Sequence, residues 1–254
     1  MTKTILLLAA ASVALTGCGE AGGKAGSGAA ASAGENVTAA VSPAGTDWTT
    51  TVVATPEGGM RMGNPDAPVK LVEFASMTCS HCRDFSAESN PALYERYVKT
   101  GQVSFEFRNF VTNQIDVVAS LLARCGGPQP FFKLTEQMFA NQDEMLNRVQ
   151  AGAAQLAAAE QAPGQQTFVK VAEVAGLDKF VGMRGIPAAK ANACLLNEAE
   201  LNRLVEMNNA AAKQYKIPGT PSFLINGELV EGTPTGISIW THLEGKLKEA
   251  GAKA

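Results

Sequence analysis

Val69-Lys70-Leu71-Val72-Glu73-Phe74, followed after four residues by Cys79-Ser80-His81-Cys82, is the stretch on which the reading of this chain turns. The first six residues are short, apolar and β-branched, which is the composition of a strand. A helical pattern follows the cysteines: from Arg83 to Val98, the residues Phe85, Leu93, Tyr94 and Tyr97 share an apolar side, and Pro91 inside the run predicts a kink. The cysteine pair therefore sits at a strand-to-helix junction. There, backbone N–H groups and the helix dipole favour an anion at the first sulfur. Two intervening residues put the second sulfur one turn away, close enough for a disulfide of nearly unstrained geometry.

The thiolate is the attacking species in thiol chemistry. The spacing thus points to Cys79 as exposed nucleophile and Cys82 as buried resolving thiol. His81 can donate to the Cys79 thiolate or carry charge beside it, which favours the reduced form and makes the disulfide a stronger oxidant. A zinc half-site would need a second ligand pair, but Cys125 and Cys194 are isolated and His242 is the other histidine, so no metal is expected. Haem attachment needs histidine directly after the second cysteine, where Arg83 stands. A purely structural disulfide is compatible with an exported protein.

Working outward, Gly63-Asn64-Pro65-Asp66-Ala67-Pro68 is dense turn chemistry, and Thr51-Val52-Val53 before it is a candidate edge strand. Val103, Phe105 and Phe107 alternate with polar residues as a second strand. From Ile115 to about Tyr215 Ala, Leu, Gln and Glu dominate, broken at Gly126-Gly127-Pro128, Pro163-Gly164 and Ile186-Pro187, which predicts an all-helical block. Strand signals resume at Ser222-Phe223-Leu224-Ile225, turn at Asn226-Gly227 and return through Glu228-Leu229-Val230. A last helix is expected from Ile237 to Lys248. Without the block, β-α-β and β-turn-β-α remain, as one sheet with helices on both faces requires.

The amino-terminal segment is read as an address. Lys3 and the apolar run Ile5 to Leu15 form a signal too short to span a bilayer as a mature helix. Leu15-Thr16-Gly17-Cys18 resembles a bacterial lipobox, which implies removal of residues 1–17, acylation of Cys18 and anchoring in a lipid bilayer. The alternative is an ordinary signal peptide and a soluble periplasmic product. Either way the mature chain meets an oxidising compartment on the periplasmic side of a membrane. Residues 18–46, rich in Gly, Ala, Ser and Thr, read as a flexible tether, and Asn36-Val37-Thr38 as a coincidental sequon. The 254 residues are 46% hydrophobic, enough for a core. The net charge of −3 without a basic stripe gives no reason to expect a nucleic-acid partner.

Two stretches together carry a family resemblance. Val69–Phe74 leading to Cys79-Ser80-His81-Cys82, and Ile217-Pro218-Gly219-Thr220-Pro221-Ser222-Phe223-Leu224-Ile225-Asn226-Gly227, resemble the DsbA family of thioredoxin-fold thiol–disulfide oxidoreductases. The resemblance runs from about Ala67 to the carboxyl end. It implies an α/β thioredoxin fold with an inserted all-α helical domain: residues 47–114 as the first part, 115–215 as the insertion and 216–254 as the second part. It implies a cis peptide at Pro221 facing the cysteines, with Thr220 offering its backbone to an extended substrate; by sequence alone, a trans proline opening a strand is the alternative. It also implies a buried Glu73 relaying a proton for Cys82. Strand alternation leaves Glu73 open, since Leu71 shares its face while Val72 and Phe74 lie on the other.

Cys125 and Cys194 remain. A structural disulfide, two buried thiols or a second redox pair are the readings open to them. Phe131, Phe132, Met138 and Phe139 fall at helical spacing as core, Met60, Met62 and Met77 are too scattered for copper, and His242 is a surface or packing residue.

The function expected is an exported dithiol oxidase that needs no metal or organic cofactor, acting on cysteine-containing exported clients and reoxidised by a membrane redox partner, as the resemblance implies. An isomerase or reductase on the same fold is the alternative: Thr220 before Pro221 resembles that branch, whereas His81 resembles the oxidase branch. The isomerase branch carries a separate dimerisation domain, and the tether is too short and polar to be one. A tethered, non-catalytic peptide-binding chaperone is the third reading.

Overall fold

The structure, a computed structural model, describes residues 46–159 and 164–254. The signal, Cys18 and nearly all of the tether lie outside them. Six strands form one mixed sheet: β1 (Val52–Ala54), β2 (Met60–Met62), β3 (Val69–Ala75), β4 (Val103–Asn109), β5 (Ser222–Ile225) and β6 (Glu228–Leu229). Their spatial order is β1-β2-β4-β3-β5-β6. The strand that leads to the cysteines, β3, is thus interior, with β4 parallel on one side and β5 antiparallel on the other. The parallel neighbour follows from the crossover helix between them, α1 (Ser80–Ala92).

Pro91 lies within α1, and the chain continues as a π-helical segment, Leu93–Val98. Proline supplies no N–H and its ring crowds the preceding turn, so the altered hydrogen-bond register directly after it has a local cause. Cys82, Phe85, Leu93 and Tyr97 still share the buried side, against Leu71, Phe105 and Phe223 of the sheet. The same face is covered by α3 (Pro128–Ala140), through Phe131 and Phe132, and by α10 (Ile239–Glu249), through Trp240 and Leu243. The last helix begins at Ile239 because the Ser238 hydroxyl accepts from the Thr241 N–H at 3.1 Å and caps it.

The other face holds a smaller core of Val72, Phe74 and Leu224 against Ala211, Tyr215 and Ile217. Ser104, Glu106 and Arg108 of β4 point this way, and they are buried too. Glu106 accepts from Arg108 Nε at 2.8 Å and from the Thr55 hydroxyl at 2.7 Å, while the Arg108 guanidinium lies over the Phe74 ring. The alternation along β4 therefore separates two buried faces, one apolar and one holding an ion pair.

Between β4 and β5 the described elements are all helical, joined by turns and ending in a π-helical segment, Ala211–Tyr215. The helices are α2 (Gln114–Arg124), α3, α4 (Gln142–Ala151), α5 (Ala153–Ala159), α6 (Gln166–Ala175), α7 (Leu177–Gly182), α8 (Ala188–Leu195) and α9 (Glu198–Ala210). This is a thioredoxin fold with an inserted helical domain. A disulfide joins Cys125, capping α2, to Cys194 in α8, with Cα atoms 5.6 Å apart. None of the helices among the described residues is long and apolar enough to cross a membrane.

Candidate active site: two thiols, a buried carboxyl and a cis proline

Cys79 is the N-cap of α1, in extended conformation, and Cys82 lies in its first turn. Helix polarity and the short C-x-x-C spacing thus put both thiols at one end of the sheet. Cys79 is partly exposed; Cys82 is completely buried. The Thr220–Pro221 peptide is cis and immediately precedes β5, the antiparallel neighbour of β3. It brings the Thr220 carbonyl oxygen 3.2 Å from the Cys79 sulfur. Beside it a groove of 350 Å³ is lined by Thr220, Pro221, Leu229, Val230, Ile239 and Leu243.

The two sulfurs are polarised in opposite directions. A hydrogen bond from Cys82, then the Thr220 side chain and the backbone N–H groups of Cys82 and His81, hold Cys79 down to about 5 against the opposing effect of burial. Burial above all, then the bond to Cys79 and the charge of Glu73, push Cys82 far above the ordinary thiol range. At neutral pH the exposed sulfur is a thiolate and the buried one a thiol. His81 supplies its backbone N–H to this cradle, while its imidazole is exposed at the surface.

Glu73 is 3% exposed, on the face of β3 that looks toward α1. Burial first, then the nearby Cys79 charge, raises its carboxyl to about 8. Its Oε1 has no hydrogen-bond partner among the described residues. A neutral carboxyl next to a buried thiol can give a proton to a departing Cys82 sulfur, and in the reverse direction its ionised form can take one.

A family model for thioredoxin matches residues 55–240. The chain belongs to the thioredoxin family. With its helical insertion it is a DsbA-like member, similar in structure to a protein-disulfide isomerase from Novosphingobium aromaticivorans: 31% identity, a TM-score of 0.68, and coverage of 74% of this chain and 96% of that one. It shares its fold with alpha-DsbA1 of Wolbachia pipientis, at a TM-score of 0.60 and 19% identity over 78% of this chain and 92% of that one. In sequence it is 27% identical over 175 residues to a Rickettsia bellii protein that carries a provisional name of protein-disulfide oxidoreductase. The match covers 69% of this chain but 60% of that relative, less than two thirds of its length.

The structure thus brings Glu73, Cys79, Cys82, Thr220 and Pro221 of this thioredoxin-family chain together. Cys125 and Cys194 lie elsewhere: α2 rises about 1.5 Å per residue, so Cys125 is roughly 14 Å along the helix from Asp116 at its start, which faces the cysteine loop. Two residues near the thiols were not anticipated. Asp116 takes the Met77 N–H at 2.7 Å, and Gln142 donates to the carbonyls of Met77 and Cys79, each at 3.0 Å. Asp116 carries a signal, standing three residues after the N-cap Asn113 in the pattern of a capped helix start. Gln142 carries none, because its partners are more than 60 residues away.

Proposed function

We propose that this chain is an exported thiol–disulfide oxidoreductase whose exchange chemistry runs through Cys79 and that, in the direction favoured here, it oxidises dithiols. The observation that carries the reading is the opposite polarisation of the two thiols beside the cis Thr220–Pro221 edge, with Cys79 near 5 and Cys82 raised. A thiolate this stable is a good leaving group, and stabilising the reduced form makes the disulfide more oxidising.

The steps balance without a cofactor. A client thiolate attacks Cys79 of the oxidised pair; a client–Cys79 disulfide forms, the Cys79–Cys82 bond breaks, and Cys82 leaves with a proton from neutral Glu73. A second client thiolate attacks its own half of the mixed disulfide, and Cys79 departs as the stabilised thiolate. The client gains a disulfide and loses two electrons; the enzyme gains both and passes them to a redox partner, proposed to be membrane-bound. The groove beside Pro221 suits an extended peptide with apolar side chains, aligned along the Thr220 backbone. Lipid anchoring through Cys18 on the periplasmic side is part of the same proposal.

Two features favour the isomerase direction: the likeness to the Novosphingobium isomerase, and Thr220 before Pro221, which resembles that branch. Oxidative refolding of a reduced, multi-cysteine protein separates the two. An oxidase delivers disulfides in proportion to its own amount, then stops until reoxidised. An isomerase rescues scrambled disulfides catalytically while it stays reduced.

A further inference from the structure

The helical insertion reaches back to the redox loop through two buried side chains, and both close on Met77. Its N–H donates to Asp116 Oδ1 at 2.7 Å, from the first turn of α2. Its carbonyl accepts from Gln142 Nε2 at 3.0 Å, from the first residue of α4. The same Nε2 donates to the Cys79 carbonyl at 3.0 Å. Asp116 and Gln142 are both 0% exposed, and Met77 is 1% exposed.

Both partners of the Gln142 amide are carbonyl oxygens, so only its nitrogen can face them. Its Oε1 is left buried with no partner among the described residues. A buried amide that spends both donors on the loop and leaves its acceptor idle is oriented for the loop and not for its own helix.

The Cys79 carbonyl shares a rigid peptide plane with the Ser80 N–H, the first plane of α1. Gln142 and the Arg83 N–H, the latter at 3.2 Å, grip that oxygen together. The N–H groups of His81 and Cys82 that reach the Cys79 sulfur follow directly along the chain, so the orientation of this plane decides whether they point at it.

We propose that Asp116 and Gln142 are positioning residues that clamp Met77 from both sides and hold the Cys79 sulfur in the N–H cradle of α1, so that the helical insertion sets the reactivity of the nucleophile. The proposal rests on the thiol-exchange reading above. It assigns the insertion a part in the chemistry, beyond covering the sheet.

The test uses the full chain, reduced, with two readouts: the pH profile of Cys79 alkylation by iodoacetamide, and the thiol–disulfide equilibrium with glutathione. Gln142→Met keeps the volume and removes both donors. Its alkylation midpoint is expected to rise by about one pH unit, with alkylation about tenfold slower below the midpoint and an equilibrium shifted about tenfold toward the disulfide. Val171→Ala in α6, a core truncation in the insertion that removes no hydrogen bond to the loop, is expected to leave both unchanged. Wild-type values in Gln142→Met, or an equal shift in Val171→Ala, would overturn the clamp. Should Gln142→Met not fold, Asp116→Asn tests the other side: it keeps an acceptor for Met77 but sets an amide donor against the Thr112 N–H, which Asp116 now accepts at 3.0 Å. A smaller shift in the same direction is expected, and none would again overturn the clamp. A wild type that neither alkylates at acid pH nor exchanges with glutathione sinks the thiol-exchange reading itself, and the clamp with it.

Discussion

The Cys79 sulfur lies 3.2 Å from the carbonyl oxygen of Thr220, across a cis Thr220–Pro221 peptide. The nucleophile and the strand edge proposed to receive the client are thus in direct contact, although they are 141 positions apart in the chain. The Thr220 side chain also helps hold the thiolate. Thr220→Val keeps the shape and removes the hydroxyl. It is expected to raise the Cys79 alkylation midpoint by a fraction of a pH unit while leaving the thermal midpoint nearly unchanged. An unaltered profile would show that the hydroxyl does not reach the sulfur.

Glu73 predicts a pH dependence of stability with a definite sign. Its carboxyl is raised from 4.5 to about 8 by burial. The unfolded chain releases that proton near pH 4.5, while the folded chain holds it until about pH 8. The stabilisation is therefore complete below pH 4.5 and is lost as pH rises toward 8, at up to about 1.4 kcal/mol per unit. Glu73→Gln removes the titration, so urea unfolding from about pH 5 to pH 8 should show a flatter slope for the variant. The same variant should slow the steps in which Cys82 gains or loses its proton while leaving Cys79 alkylation near wild type.

The Cys125–Cys194 disulfide closes a span of 69 residues inside the helical insertion. Its loss in a Cys125→Ala/Cys194→Ala double variant should cost up to roughly 4 kcal/mol by loop entropy. Because it lies at the far end of α2 from the thiols, glutathione exchange at Cys79 should persist in the folded fraction. A lost exchange with stability intact would instead mark the bridge as a second redox pair.

The Glu106–Arg108 pair lies beneath the sheet face opposite the thiols, with both side chains nearly buried. Arg108→Leu leaves the carboxylate without its partner and should destabilise the fold by about 3–5 kcal/mol in denaturant titrations. Replacing both residues by leucine should cost less than that single change, because no unpaired charge is left buried.

The parts of the site that are local in sequence were legible there. The strand β3, the helix start at the cysteines and the Asn226-Gly227 hairpin each have a short signature, and the structure has all three. The strand β2 was not legible. Met60-Arg61-Met62 has three residues and follows Gly58-Gly59, and it is held by pairing with β1 and β4, a tertiary cause. Gly59 itself packs against the Glu106 carboxylate, where a side chain would collide. The alternation on β4 was visible, but not that its polar side is buried on an ion pair, since burial depends on what the chain later lays over that face. The face of Glu73 stayed undecided until α1 was placed over Leu71. Gln142 looked like any polar residue opening a helix, and only the folded chain brings it against Cys79.

The central claim is that Cys79 and Cys82 form a reversible, oxidising redox couple, and its most direct measurement is the equilibrium of the pair with reduced and oxidised glutathione, read by quantifying free thiols on the full chain. A single two-electron transition is expected at a potential well above that of cytosolic thioredoxin, which lies at about −270 mV, and Cys79→Ser is expected to abolish it. A potential at or below about −270 mV would contradict the oxidising direction, and no transition at all would contradict the redox reading of the site.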